Sequence, residues 1–253
     1  MKRKIFRALV FYALLIGLWE WVARAGIWPP YLFPSPGSVF RTLAKNIQNL
    51  LLIHALQTSL QRLVVGYLIS IGLGLGIGLW MGTVRWLDET LGTLVLAFQS
   101  LPSIVWLPMA LLWFGLNDRA IIFVVVMGSV FAIAVSIDAG VQNIPPLWKR
   151  AGQTLGASQW QMIRYVVLPG MLPSAVHGLK LGWSFAWRSL MAGELLFVSR
   201  GLGHLLELGR DLNDMALVIA VILVILVVGL VVDRLLFGRL EAWVNERWGL
   251  AKP

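Results

Sequence analysis

The sequence predicts an all-α membrane protein, a single transmembrane domain over 1–253 with about six spans. Three observations predict it. Hydrophobic residues make up 58% of the chain and charged residues only 13%, with a mean hydropathy of +0.80. A soluble domain carries about 25% charged residues, so this chain has too little polar surface to cover a soluble fold. Several apolar runs approach or reach the ~20 residues that cross a bilayer as a helix. The basic excess, a formal charge of +9, fits Lys and Arg gathered in cytoplasmic loops and calls for no nucleic acid partner. Cysteine is absent, which excludes disulfides, thiolate metal sites and thiol nucleophiles.

The first run covers 5–22, behind Lys2, Arg3 and Lys4. An uncleaved helix is the simpler reading. A basic start, an apolar stretch and Ala23-Arg24-Ala25 also fit a cleaved signal peptide. The prolines of the next segment, from Pro29 to Pro36, disfavour a continuing helix and give a stiff, extended link. From 38 to 53, Val39, Leu43, Ile47, Leu50 and Leu51 recur at helical spacing, as a short helix on the outer surface or as a packed loop. The second span, 63–84, is uncharged. The third, 90–114, is expected to kink at Pro102 and Pro108. The fourth is 120–137, the fifth 175–198 and the sixth 215–232. With the N-terminus in the cytoplasm, 13 of the 21 basic residues fall inside, among them Arg85, Lys149, Arg150, Arg234 and Lys252, against seven outside. That bias places both termini in the cytoplasm.

Within the spans, a few side chains stand out. Gly74, Gly78 and Gly82 lie four apart on one face, where small residues let helix backbones approach in lipid. They serve plain packing or a sliding contact. Gln99, Ser100 and Ser103 beside Pro102 either satisfy freed backbone groups or line a wet path. Arg188 and Glu194 fall inside the fifth span, where a charge costs at least ~2.5 kcal/mol. Six residues apart, they are not an i,i+4 pair. Each is a candidate for the translocation pathway or half of a structural ion pair. Lys180, nearer the cytoplasmic end, reads as a snorkelling anchor. His54, His177 and His204 are not at metal-ligand spacing, so no metal is expected. The run 72–78 lacks the Lys-Ser or Lys-Thr of a phosphate loop, so the chain is not expected to bind ATP by such a loop.

One long segment, about 142–174, is polar and patterned. Pro145 and Pro146 suit a helix start, and Gly156 suits a left-handed C-terminal cap. Ser158 and Gln161 form a capping box for a second helix, which Pro169 is expected to end. The segment reads as a helix–turn–helix across the cytoplasmic mouth, where a soluble partner would push.

These residues resemble the cytoplasmic loop shared by permeases of ATP-binding-cassette importers, with the pattern E-A-A-x-x-x-G, nine residues, then I-x-L-P. Ala151, Gly156, Leu168 and Pro169 match it and Val166 is a conservative swap. Arg150 stands for the acidic residue and Gly152 for the second alanine. The stretches 32–39, 99–115, 154–174 and 186–196 are similar to the sulfonate, taurine, nitrate and bicarbonate branch of these permeases, with Glu194 at the position of an acidic residue common there. The resemblance implies a type I importer permease and a homodimer in the bacterial plasma membrane. It also implies two cytoplasmic ATPase subunits that carry the ATP and Mg, and an extracytoplasmic substrate-binding protein. It implies that the turn around Gly156, Ala157, Ser158, Gln159 and Trp160 is the coupling loop that enters the ATPase. The chain is then no enzyme, and its cargo is a small anion. A secondary transporter or channel working alone would explain Arg188 and Glu194, but it leaves the 142–174 segment without a purpose. A membrane-embedded enzyme would need a convergent set of catalytic groups, and none is evident.

Overall fold

The structure, a computed structural model, describes residues 2–196 and 200–249. The far end of the fifth predicted span, at Val198, and Lys252 lie outside the described residues. The described residues are helical, with no strand among them: α1 (Lys2–Arg24), α2 (Pro36–Gln48), α3 (Leu51–Thr83), α4 (Arg85–Ser100), α5 (Ser103–Phe114), α6 (Asp118–Gln142), α7 (Pro146–Thr154), α8 (Gln159–Met162), α9 (Leu168–Leu196), α10 (Leu202–Asp211) and α11 (Met215–Arg247). Helices α3, α6 and α11 are long and apolar enough to cross a membrane, and α4 with α5 makes a fourth if the bent pair is one span. Helices α1 and α9, with 23 and 29 residues, occupy the other two predicted positions and carry charge.

The chain forms two compact units. One comprises Met1–Ser59 and Glu194–Val227, the other Leu60–Gly193 and Val228–Pro253. In the first, Trp19 Nε1 donates to Pro34 O at 3.0 Å and ties the proline-rich link to α1. Ser35 then caps α2, with Pro36 pre-shaped for its first turn. The segment 38–53 is not one element. Helix α2 stops at Gln48, Leu50 takes a positive φ of 59°, and Leu51 already begins α3.

The second unit is built around α6. Ala120, Ile121, Val124, Val125, Ile133, Ala134 and Ile137 are fully buried, and the helix is apolar on every side, as a central helix must be. Helix α3 packs on it at a constant offset. Ser129 Oγ donates to Ser70 Oγ at 2.7 Å, 59 positions apart. A Cβ on Gly74, Gly78 or Gly82 would meet Ile133, Ala134 with Ile137, or Val141, each about 59 positions on. A constant offset means that α3 and α6 run parallel. Helix α9 runs the other way, since Gly140 faces Ser174, Gly178 faces Ser136 and Gly128 faces Ser189.

The parallel pair decides the nature of the third span. Its two pieces meet at 99°, a break rather than a kink. Leu101 and Pro102 are extended. Pro108 bends nothing, because it sits in the first turn of an α-helical stretch, 107–114, where its missing N–H is harmless. Yet the chain must return from the C-terminal end of α3 to the N-terminal end of α6. Contacts follow that path. Gln142 bonds Asp88, Phe98 packs on Phe131, and Phe114 packs on Phe123. Helices α4 and α5 together are therefore one broken span, antiparallel to α6.

Pro169 corrects another expectation. It ends no helix. A π-turn over Ile163–Val167 widens the helix just before it, and α8 passes through that turn into α9 without a non-helical residue. Widening accommodates a residue that has no N–H and whose ring crowds the preceding turn. Helix α11 closes the unit. Lys180 bridges Asp233 at 3.4 Å and Glu241 at 3.1 Å, and Trp248 Nε1 donates to Pro169 O.

Candidate functional site

The break between α4 and α5 opens a cavity of about 400 Å³. Its walls are Phe98, Gln99, Ser100, Leu101, Pro102, Ser103 and Ile104 from the break, Met127 and Gly128 from α6, and Phe185, Arg188, Ser189 and Ala192 from α9. Of the side chains singled out in the spans, Gln99, Ser100, Ser103 and Arg188 thus share one space. Gly128 allows it, because a Cβ there would run into Ser189 and Ser103. Non-helical backbone at membrane depth is tolerated where it lines a cavity or is buried in protein, and 101–102 meets that condition.

Arg188 is the charge of this cavity. Its side chain is exposed, its Nε donates to Ser184 O at 3.2 Å, and its guanidinium lies 4.9 Å from the Phe185 ring centroid. Among the described residues of its unit no carboxylate is at ion-pair distance. Guanidinium on an aromatic face is stabilised without being neutralised, so the positive charge remains available to whatever enters. Phe98, Phe185 and Ser189 also line the space; nothing in an apolar run distinguishes them from ordinary core.

Glu194 is not among the lining residues. It is fully buried. Both carboxylate oxygens accept from Ser59 Oγ, at 2.9 and 2.7 Å, and Oε2 accepts from the Gly203 N–H at 3.0 Å. Ser59 Oγ in turn accepts from the Leu202 N–H at 2.9 Å. The only sequence hint of Ser59 is its place in the polar stretch before the second apolar run.

The 142–174 segment holds a helical hairpin. Pro146 opens α7, and Lys149 Nζ donates to Val141 O at 3.2 Å, tying α7 to the end of α6. Gly156 has φ of +74°. Ala157 N–H reaches Gly152 O and Gly156 N–H reaches Gln153 O, the double bond of a Schellman cap. The capping box of Ser158 and Gln161 is formed in both directions. Gly152 sits where the hairpin arms touch, 2.9 Å from Met162 Sδ to a Cβ built on it, which gives a steric reason for glycine there. Arg150, Ala151, Gln159 and Trp160 are exposed, as are Leu147, Trp148 and Leu155. Lys149, Arg150 and Arg164 leave the hairpin wholly cationic. Replacing Ser158 by Ala is expected to loosen the second arm by about 1 kcal/mol, read as faster amide exchange at Gln161; unchanged exchange would show that the cap is dispensable.

A family profile described as "Binding-protein-dependent transport system inner membrane component" matches residues 70–238, well over half of the chain and inclusive of the cavity and the hairpin. The chain belongs to this family. The permease is 33% identical over 227 residues to a protein of Methanocaldococcus jannaschii assigned as an ABC transporter permease, covering 88% of this chain and 85% of that one. It is 28% identical over 254 residues to the taurine transport system permease protein TauC of Escherichia coli, covering 97% and 92%. Its fold matches a chain of the MetNI methionine ABC transporter in an inward-facing conformation, with a TM-score of 0.69 at 20% identity over 77% of this chain and 96% of that one. The permease is therefore a membrane component of an ABC importer, a transport subunit rather than an enzyme.

Proposed function

We propose that the permease passes a small solute that carries a sulfonate group, taurine or a near relative, through the cavity at the α4–α5 break. The observation that carries this reading is Arg188, a cation at membrane depth with no carboxylate at ion-pair distance among the described residues of its unit. Desolvating a cation there is costly, and an anionic cargo repays part of it. Gln99, Ser100 and Ser103 supply the uncharged polar lining. The relative named for taurine transport supports the cargo class.

In the same reading an ATPase pair docks on the α7–α8 hairpin, with Arg150, Ala151, Gly152, Gly156, Ala157, Ser158, Gln159 and Trp160 at or behind the contact and Leu168 and Pro169 carrying it into α9. ATP and Mg stay on those subunits. A binding protein delivers cargo to the opposite face, two copies of the chain form the pathway, and both termini face the cytoplasm of a bacterial plasma membrane. The test is uptake into proteoliposomes holding the permease, its ATPase and its binding protein. Taurine or a short alkanesulfonate is expected to enter only with ATP, and methionine not at all. Entry without ATP or without the ATPase would defeat the importer mechanism; a cargo that carries no anionic group would defeat the role of Arg188.

A further inference from the structure

The buried carboxylate of Glu194 does something that the cavity does not require. Helix α10 has ten residues, and its N-cap position is Gly201, which has no side chain to offer. The first amides of a helix need acceptors. Here they come from elsewhere in the chain: Leu202 N–H bonds Ser59 Oγ of α3, and Gly203 N–H bonds Glu194 Oε2 at the end of α9. The Ser59 hydroxyl, wholly buried, points its proton at the same carboxylate. One carboxylate, one hydroxyl and two amides therefore join the end of α9 and the start of α10 to the third turn of α3. The segment around them is shaped to the carboxylate. A Cβ on Gly201 would lie 2.5 Å from Glu194 Oε2, and one on Gly203 would lie 2.5 Å from Glu194 Cβ. A negative group at a helix N-terminus is also favoured by the helix dipole. Leu202 and Leu205 bury the rest of that face.

We propose that Glu194 is a positioning residue, which with Ser59 fastens α10 to α3 and so fixes one end of the helix that carries Arg188. It acts on the cargo path through that helix and does not touch the cargo. In the orientation proposed above this is the outer end. The role rests on the importer reading only for its effect on uptake; the fastening itself does not.

The natural absence of cysteine makes a clean test. Leu205 is 3% exposed. In the complete transporter complex, Leu205→Cys is expected to resist a membrane-impermeant maleimide. Adding Glu194→Ala or Ser59→Ala is expected to raise its modification rate about tenfold, since losing a buried partner strands the amides it served; Glu194→Gln, which keeps one acceptor oxygen, falls between. Ser59→Ala is the milder change and keeps the test alive if Glu194→Ala fails to assemble. Unchanged protection in Ser59→Ala and Glu194→Gln would overturn the fastening. Uptake separates positioning from contact. Glu194→Gln is expected to lower the maximal uptake rate with KM for loaded binding protein unmoved. A raised KM with protection intact would make Glu194 a cargo contact, and an unchanged uptake rate per assembled complex would make it structural alone. Because labelling needs no transport, its failure is distinct from failure of the proposed function.

Discussion

Arg188→Glu is expected to cut sulfonate uptake by about a hundredfold, with assembly intact. At 4 Å and an effective dielectric of 20, two unit charges interact by about 4 kcal/mol. The exposed Arg188 guanidinium feels water, so roughly half of that is a fair expectation, and reversal adds repulsion to the lost attraction. Arg188→Lys keeps the charge but not the planar face on Phe185, and is expected to lose less than tenfold. Both are to be measured at matched protein levels with the ATPase rate of the same vesicles recorded. Normal uptake by Arg188→Glu would remove Arg188 from the cargo path. Assembly should survive because no carboxylate among the described residues of the same unit lies at ion-pair distance from this cation.

The second large effect is steric. Gly78→Val is expected to destabilise the permease by ~3 kcal/mol or more, the upper end of overpacking costs. A Cβ at Gly78 would stand 2.5 Å from Ala134 O and 2.6 Å from Ile137 Cβ. The first of these is backbone in the central helix and has nowhere to go. In lipid, close packing is itself the force that joins helices, so the loss should appear as a fall in Tm of roughly 10 °C and a drop in monodisperse yield. Gly76→Ala is the control, since nothing lies within 4 Å of its Cβ position, and its Tm is expected to stay level. Equal behaviour of the two variants would mean that α3 and α6 do not meet as described.

What could be read from the sequence follows the range of each physical signal. Apolar length located the spans, and short-range chemistry located the hairpin: Pro146 at its start, Gly156 at its turn and Ser158 with Gln161 at its second arm act within a few residues. Where length was the sole guide it fell short. Helix α3 begins twelve residues before the apolar run because Gln57, Ser59 and Arg62 are compatible with a helix even though they are polar. Proline was read as a helix breaker at Pro169 and a kink at Pro108, but its effect depends on the turn beside it, a π-turn at one and a first turn at the other. The union of Ser59 with Glu194 joins residues 135 positions apart. No local pattern encodes such a pair, and neither did the spacing of Arg188 and Glu194 reveal that one borders a cavity while the other is buried among amides.

The uninterrupted helical path from Gln159 to Leu196 has a mechanical consequence. It joins the hairpin's second arm to the Arg188 segment by one continuous run of helical hydrogen bonds, roughly 44 Å of helix from Gln159 to Arg188 at 1.5 Å per residue. The central helix bears on that run over much of its length, with Gly140 against Ser174, Ser136 and Ile133 against Gly178 and Gly182, and Gly128 against Ser189. A helix seated along such a line is held against swinging away from its neighbour, and is left free chiefly to slide or roll on it.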